Sequence, residues 1–107
     1  MSSLTTIIAV FAMAGLIAPA QAAADPAESR QGELIYLLRH DCGSCHGMTL
    51  KGGLGPALLP GTVGDVAAES LADIILHGVP GTPMPPWSPE LSAAEATWLA
   101  RQIKEGL

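Results

Sequence analysis

Aromatic side chains are scarce in this chain: they make up 4% of 107 residues, namely Phe11, Tyr36, Trp87 and Trp98. Such rings carry much of the apolar area that a small core buries. A chain of one-domain length with so few of them is poorly placed to build a core from side chains alone. Basic charge is short as well, 5 Lys and Arg against 10 Asp and Glu. That balance excludes nucleic-acid binding, which needs a basic face. Charge of either sign is missing from residues 1–24. No segment alternates polar and apolar residues as a half-buried strand does, and no internal repeat is present.

The uncharged N-terminus contains an apolar run from Leu4 to Ile17, broken only by Thr5, Thr6 and Gly15. It ends in small residues, and Ala20-Gln21-Ala22 has the small-x-small form of a cleavage site, with Ala22-Ala23-Ala24 as a second option. Residues 1–22 are expected to be a cleaved secretory signal peptide. The run is about 14 residues, short of the roughly 20 that span a bilayer. The mature chain, residues 23–107, is therefore expected to be exported as one domain with no stable membrane insertion. It loses the only phenylalanine, Phe11, on the way.

In residues 23–107 helical signals alternate with Gly/Pro-rich stretches. Asp25-Pro26-Ala27-Glu28 reads as a capping box opening a helix that carries Leu34, Leu37 and Leu38 and stops near Asp41-Cys42-Gly43. Residues 47–64 hold six glycines and two prolines and read as an irregular loop. A second helix fits Val66 to His77, with an apolar stripe of Ala67, Leu71, Ile74 and Ile75 and with Gly78 closing it. Five prolines between Val79 and Pro89 predict a stiff, extended segment. Leu91 and the capping box Ser92-Ala93-Ala94-Glu95 open a last helix, with Ala96, Leu99, Ala100 and Ile103 on one face. The expected fold class is all-α: three main helices and two long loops.

Chemistry concentrates in Cys42-Gly43-Ser44-Cys45-His46, the Cys-x-x-Cys-His signature of covalent haem c attachment. Two thiols on one turn can each add to a porphyrin vinyl group, and the adjacent histidine then faces the iron as proximal ligand. An export signal suits this, because c-type haem is attached outside the cytoplasm. Three other uses of the cysteines stand beside it. A dithiol redox motif wants a preceding strand and a βαβ context; a structural zinc site wants a second ligand pair; a Cys42–Cys45 disulfide wants only an oxidising compartment. A porphyrin would replace the missing rings, and the apo chain is then expected to be largely unfolded.

The second axial side of a haem takes Met, His, Cys or Tyr. Both cysteines are committed, Met48 lies two residues past His46, and Tyr36 precedes the motif. Met84, His77 and His40 remain. Met84 is favoured: Pro83 and Pro85 flank it in a stiff loop 38 residues past His46, so little ordering entropy is lost when a weak thioether binds. The alternative for Met84 is core filling, for His77 a helix-end role, and for His40 solvent exposure beside Arg39 and Asp41. Trp87 packs on the porphyrin, lies in the rim of its pocket, or belongs to the core.

With these residues in place, residues 26–107 resemble the class I cytochromes c of bacterial periplasms. The resemblance runs through Cys42-x-x-Cys45-His46, Gly55-Pro56-Ala57-Leu58, Gly78, Met84-Pro85 and Leu91-Ser92-x-x-Glu95-x-x-x-Leu99. It implies that the carbonyl of Pro56 accepts a hydrogen bond from the axial His46. Gln102 stands where that family usually has a tyrosine. Residues 41–58 and 80–87 are similar, more narrowly, to the NirC-type monohaem cytochromes encoded with cytochrome cd-type nitrite reductases. That resemblance implies a periplasmic electron carrier, not an enzyme, with iron held by His46 and Met84 and with nitrite reductase as acceptor. The alternatives are a part in maturation of the d-type haem, or a haem protein that binds small ligands. The expected docking surface is the rim formed by Gly43, Ser44, Leu54, Pro83, Pro85 and Pro86, and the net charge of −5 suggests partners with a basic patch.

Overall fold

A computed structural model describes residues 7–16 and 24–107. Residues 7–16 lie exposed without regular secondary structure. The expected cleavage motif at Ala20-Gln21-Ala22 lies outside the described residues. Among the described residues there is no strand, and no helix is long and apolar enough to cross a membrane. All regular structure among the described residues is helical, as the sequence predicts.

Helix α1 spans Glu28–Leu37. It starts later than the Asp25 capping box predicts: the N-cap is Ala27, and no side chain caps it. Asp25 is instead drawn into an ion pair with Arg101, a long-range partner that local spacing cannot reveal. The helix also does not stop at Asp41-Cys42-Gly43. It widens into a π-turn over Leu38–Cys42 and resumes as α2, Gly43–His46. Gly43 is itself helical, with φ −60° and ψ −24°. The chain turns away only at Gly47, whose φ of +94° favours glycine.

The stretch after Gly47 is irregular as expected, apart from one short turn of helix, α3 (Pro60–Val63), with its proline at the tolerated N-terminal position. Helix α4 spans Ala68–His77, two residues shorter than its periodicity predicts, and Gly78 closes it at φ +68°. The segment after Gly78 is not simply extended. It turns tightly through Val79–Thr82, where Gly81 adopts φ +78°, and runs straight from residue 84 to residue 87. It is then tied to the end of α4, with the Trp87 and Ser88 N–H groups donating to the carbonyls of Ile75 and Leu76. Helix α5, Ala93–Glu105, opens with the predicted capping box: Glu95 N–H donates to Ser92 Oγ at 3.1 Å and Ser92 N–H to Glu95 Oε1 at 2.9 Å.

Packing centres on α5, which contacts α1, α3 and α4. Ala96, Leu99, Ala100 and Ile103 are buried as expected, and Trp98 joins them. Leu34, Leu38, Leu50, Val63 and Leu91 complete the cluster. Each fully buried leucine contributes roughly 1.5–3 kcal/mol. Arg30 ties α1 to α5 through the Glu95 carboxylate, and Lys104 on α5 donates to the carbonyls of Gly64 and Val66 ahead of α4. The stripe predicted on α4 divides. Ala72 is the helix's buried residue, Ala67 is exposed, and Leu71, Ile74 and Ile75 line a cleft.

Candidate functional site

The cleft encloses about 670 Å³ and is almost wholly apolar. One wall is α2 with residues 54–58, another is α4 with residues 79–85, and Leu99 and Ile103 of α5 reach it from the core. Cys42, Cys45, His46, Pro56 and Met84 all line it. Five residues that the sequence picks out from three segments thus meet in one place. Its volume lies within the ordinary range for cofactor pockets.

His46 is set by its backbone surroundings. The last carbonyls of a helix lack intrahelical partners; here Gly52 N–H donates to His46 O and Gly55 N–H to Cys45 O, each at 2.8 Å. The glycine-rich loop is thereby folded under α2. A β-carbon on Gly55 would stand 2.8 Å from both Cε1 and Nδ1 of His46, so glycine is what lets the loop lie against the ring. This brings the Pro56 carbonyl to 2.7 Å from His46 Nδ1. The ring donates Nδ1–H there, which leaves Nε2 with its lone pair free to bind a metal.

The two thiols are unbonded. Burial, reinforced by the Asp41 charge, pushes the Cys42 thiol up to about 11. A redox dithiol needs the opposite shift, so this environment speaks against thioredoxin-like chemistry. Among the described residues no group of three or more His, Cys, Asp or Glu side chains could hold a metal ion by itself. The zinc alternative therefore lacks ligands. What the donor set fits is a planar apolar group tethered by two sulfurs and held by imidazole.

Met84 is half-buried in the wall of the cleft. A β-carbon on Gly78 would come within 2.7 Å of Met84 O, so the end of α4 presses directly on the methionine's backbone. His77, His40, Tyr36 and Met48 do not line the cleft. His40 stacks on Tyr36 on the exposed side of α1, ring centroids 4.1 Å apart. Trp87 lines the cleft and also packs on the core, so two of its three sequence roles merge.

The rim differs from the expected one. Gly43 is buried, with Met48 packed over it, and is not available for docking. Ser44 and Pro86 are exposed but do not line the cleft; Leu54, Pro83 and Pro85 do. Ile74 and Val79, 42% and 39% exposed, join Leu54 at 77% as large apolar side chains of the cleft that face solvent. Helical periodicity marked Ile74 as core, and nothing local marked Val79. Thr82, which also lines the cleft, carries no sequence signal beyond its place two residues before Met84.

Comparison with known proteins shows the family. The family model described as "Cytochrome C oxidase, cbb3-type, subunit III" matches residues 27–103. The chain is 49% identical over 88 residues to cytochrome c55X of Pseudomonas aeruginosa, covering 82% of this chain and 74% of that one. Its structure matches that of a c-type cytochrome NirC with a TM-score of 0.74 and 52% identity, over 76% of this chain and 95% of the other. It also matches dihydro-heme d1 dehydrogenase NirN in complex with DHE, TM-score 0.62 and 33% identity, over 68% of this chain but 16% of that much longer one. The chain belongs to the c-type cytochromes, among the NirC-type monohaem proteins: electron carriers rather than enzymes, with covalent haem c and its iron, and with Cys42 and Cys45 in the spacing that attaches it.

Proposed function

We propose that this cytochrome is a periplasmic carrier of single electrons, with His46 and Met84 as axial ligands, and that it donates to a cytochrome cd-type nitrite reductase. The observation that carries the reading is the pair of donors in one apolar cleft: His46, with Nε2 freed by the Pro56 hydrogen bond, and Met84 on a separate wall. Haem iron supplies the reversible ferric–ferrous exchange. The chain supplies the rest. Cys42 and Cys45 would tether the porphyrin through thioethers, and His46 and Met84 would hold its iron from the two walls of the cleft, which would leave no place for a substrate. A neutral Met sulfur favours the ferrous state relative to a second histidine, and the apolar walls disfavour the extra charge of the ferric state.

Partners meet the protein at the cleft's edge, through Leu54, Ile74, Val79, Pro83 and Pro85. Only one carboxylate, Asp41, lines the cleft, and no Lys or Arg does. Contact is thus apolar, while the net charge of −5 steers basic partners from a distance. Residues 1–22 direct export, and mass spectrometry of the purified protein tests this by showing whether its N-terminus starts at residue 23. Stopped-flow mixing of the reduced protein with nitrite reductase tests the main reading. Oxidation that saturates with enzyme and slows with salt supports it, and no oxidation on a turnover timescale refutes it.

The similarity to dihydro-heme d1 dehydrogenase NirN favours a second reading, electron exchange during maturation of the d-type haem. The same mixing experiment with a d1-maturation dehydrogenase separates the two. A haem that binds small ligands is the third possibility; it requires a high-spin ferric spectrum, whereas the His46/Met84 reading requires a low-spin one with an Fe–S charge-transfer band.

A further inference from the structure

Met84 sits in an unusual backbone setting. Pro83, Pro85 and Pro86 have no N–H, so between residues 83 and 86 the only backbone donor is that of Met84 itself. That donor goes to the side chain of Thr82: Met84 N–H to Thr82 Oγ1, 3.3 Å. The same hydroxyl donates to Val79 O at 2.7 Å. Val79 O also accepts from Thr82 N–H at 3.1 Å, and Val79 N–H donates to Met84 O at 3.2 Å. The loop from Val79 to Met84 is therefore closed on itself, and the Thr82 hydroxyl is its internal link.

We propose that Thr82 is a positioning residue for the sixth ligand: its hydroxyl, bonded at once to Val79 and Met84, sets how readily the Met84 sulfur leaves the iron. The proposal rests on the reading of Met84 as ligand and goes beyond it. A prolyl loop limits how far Met84 can wander, but proline stiffness alone does not fix the peptide between residues 83 and 84, which can rotate about the Met84 φ and the Pro83 ψ. The Thr82 oxygen removes that freedom by accepting from the Met84 N–H. Losing the hydroxyl leaves the loop's outer closure from Val79 to Met84 intact and frees the methionine inside it. Thr82 thereby tunes how fast small exogenous ligands can take the place of Met84.

The test uses the ferric holoprotein and imidazole. The rate at which imidazole replaces Met84 is read from the loss of the Fe–S charge-transfer band in the wild type, Thr82→Val and Thr82→Ser. Valine keeps the shape and removes the hydroxyl, and serine restores it. Thr82→Val is expected to accelerate replacement roughly five- to tenfold, the weight of about one lost hydrogen bond, and Thr82→Ser to stay within about twofold of wild type. Equal rates for the wild type and Thr82→Val overturn the proposal, as does a Thr82→Ser variant as fast as Thr82→Val, which assigns the effect to packing. Met84→Ala separates this outcome from a failure of the ligand assignment. If the charge-transfer band is missing from the wild type or survives in Met84→Ala, Met84 is not the ligand and the role of Thr82 goes with it.

Discussion

His46 sits where backbone is stitched to backbone. The N–H groups of Gly52 and Gly55 close on the carbonyls of His46 and Cys45, and the Pro56 carbonyl takes the ring's own proton. Met84 sits on a loop from which three prolines have removed donors, and which holds itself together through the Thr82 hydroxyl and two backbone hydrogen bonds between Val79 and residues 82 and 84. The first side couples the ligand to the helix that bears the thiols, and the second couples it to little beyond its own loop and the end of α4. The difference teaches that, on the proposed His46/Met84 ligation, the two sides would have different jobs. The His46 side would have to be complete for the cofactor to be held at all, whereas the Met84 side would adjust the potential and the access of a cofactor already held.

The comparison can be broken first at Gly55. Gly55→Ala places a β-carbon 2.8 Å from the His46 ring with the Pro56 carbonyl close by, so the ring must leave its hydrogen bond. Holoprotein yield, read as haem absorbance per chain, is expected to fall to a small fraction of wild type. Met84→Ala is the counterpart on the other wall. It is expected to keep covalent haem at near-normal yield, to lose the Fe–S band, and to lower the potential by on the order of 0.2 V, part of the roughly 0.8 V that axial ligands command. If Met84→Ala loses haem as Gly55→Ala does, the two sides are equivalent and the distinction collapses.

Smaller effects test the scaffold that both walls share. Leu34→Ala empties a fully buried position in the α1–α5 core and is expected to cost roughly 2–5 kcal/mol in denaturant unfolding of the holoprotein, with the spectrum of the remaining folded fraction unchanged. The least change is expected from Glu95→Gln, which keeps the capping geometry but removes the charge facing Arg30. Arg30, helped by the Ser92 backbone, holds the Glu95 carboxyl below the usual carboxylate range. Its stabilisation is therefore complete above that range and is lost as the pH falls through the lowered value. Glu95→Gln should melt slightly below wild type at neutral pH, and the gap should close in acid. A gap that stays constant in acid contradicts the ion-pair explanation.

How much of this was readable in the sequence follows from how local each signal is. Cys42-x-x-Cys45-His46 and the Ser92–Glu95 box lie within single turns of chain, and the structure builds both as their spacing predicts. Met84 is singled out as a candidate by elimination, and the structure adds that it lines the cleft whereas Met48, Tyr36, His77 and His40 do not. The failures involve partners far apart. Asp25 caps nothing because Arg101, 76 residues away, takes its charge. Gly43 looked like a helix stop and an exposed rim residue, yet it is helical and covered by Met48. Gly47, not Gly43, ends the helix, because only its backbone lies in the left-handed region. Thr82 and Gly55 matter through atoms that meet in three dimensions, and their residue types alone do not announce it.

The π-turn at Leu38–Cys42 has its own consequence. An α-helix turns about 100° per residue, so a straight continuation would bind the direction of the thiols rigidly to the direction of Leu34. One wider turn acts as a phase shifter between them: Leu34 faces the core of the helix bundle, while Cys42, Cys45 and His46 line the cleft. Winding the same residues as a regular α-helix, with none removed, would swing the whole attachment motif around the helix axis by about 100°. The protein can thus vary its bundle and its attachment site as separate parts, provided the length of that one turn is kept.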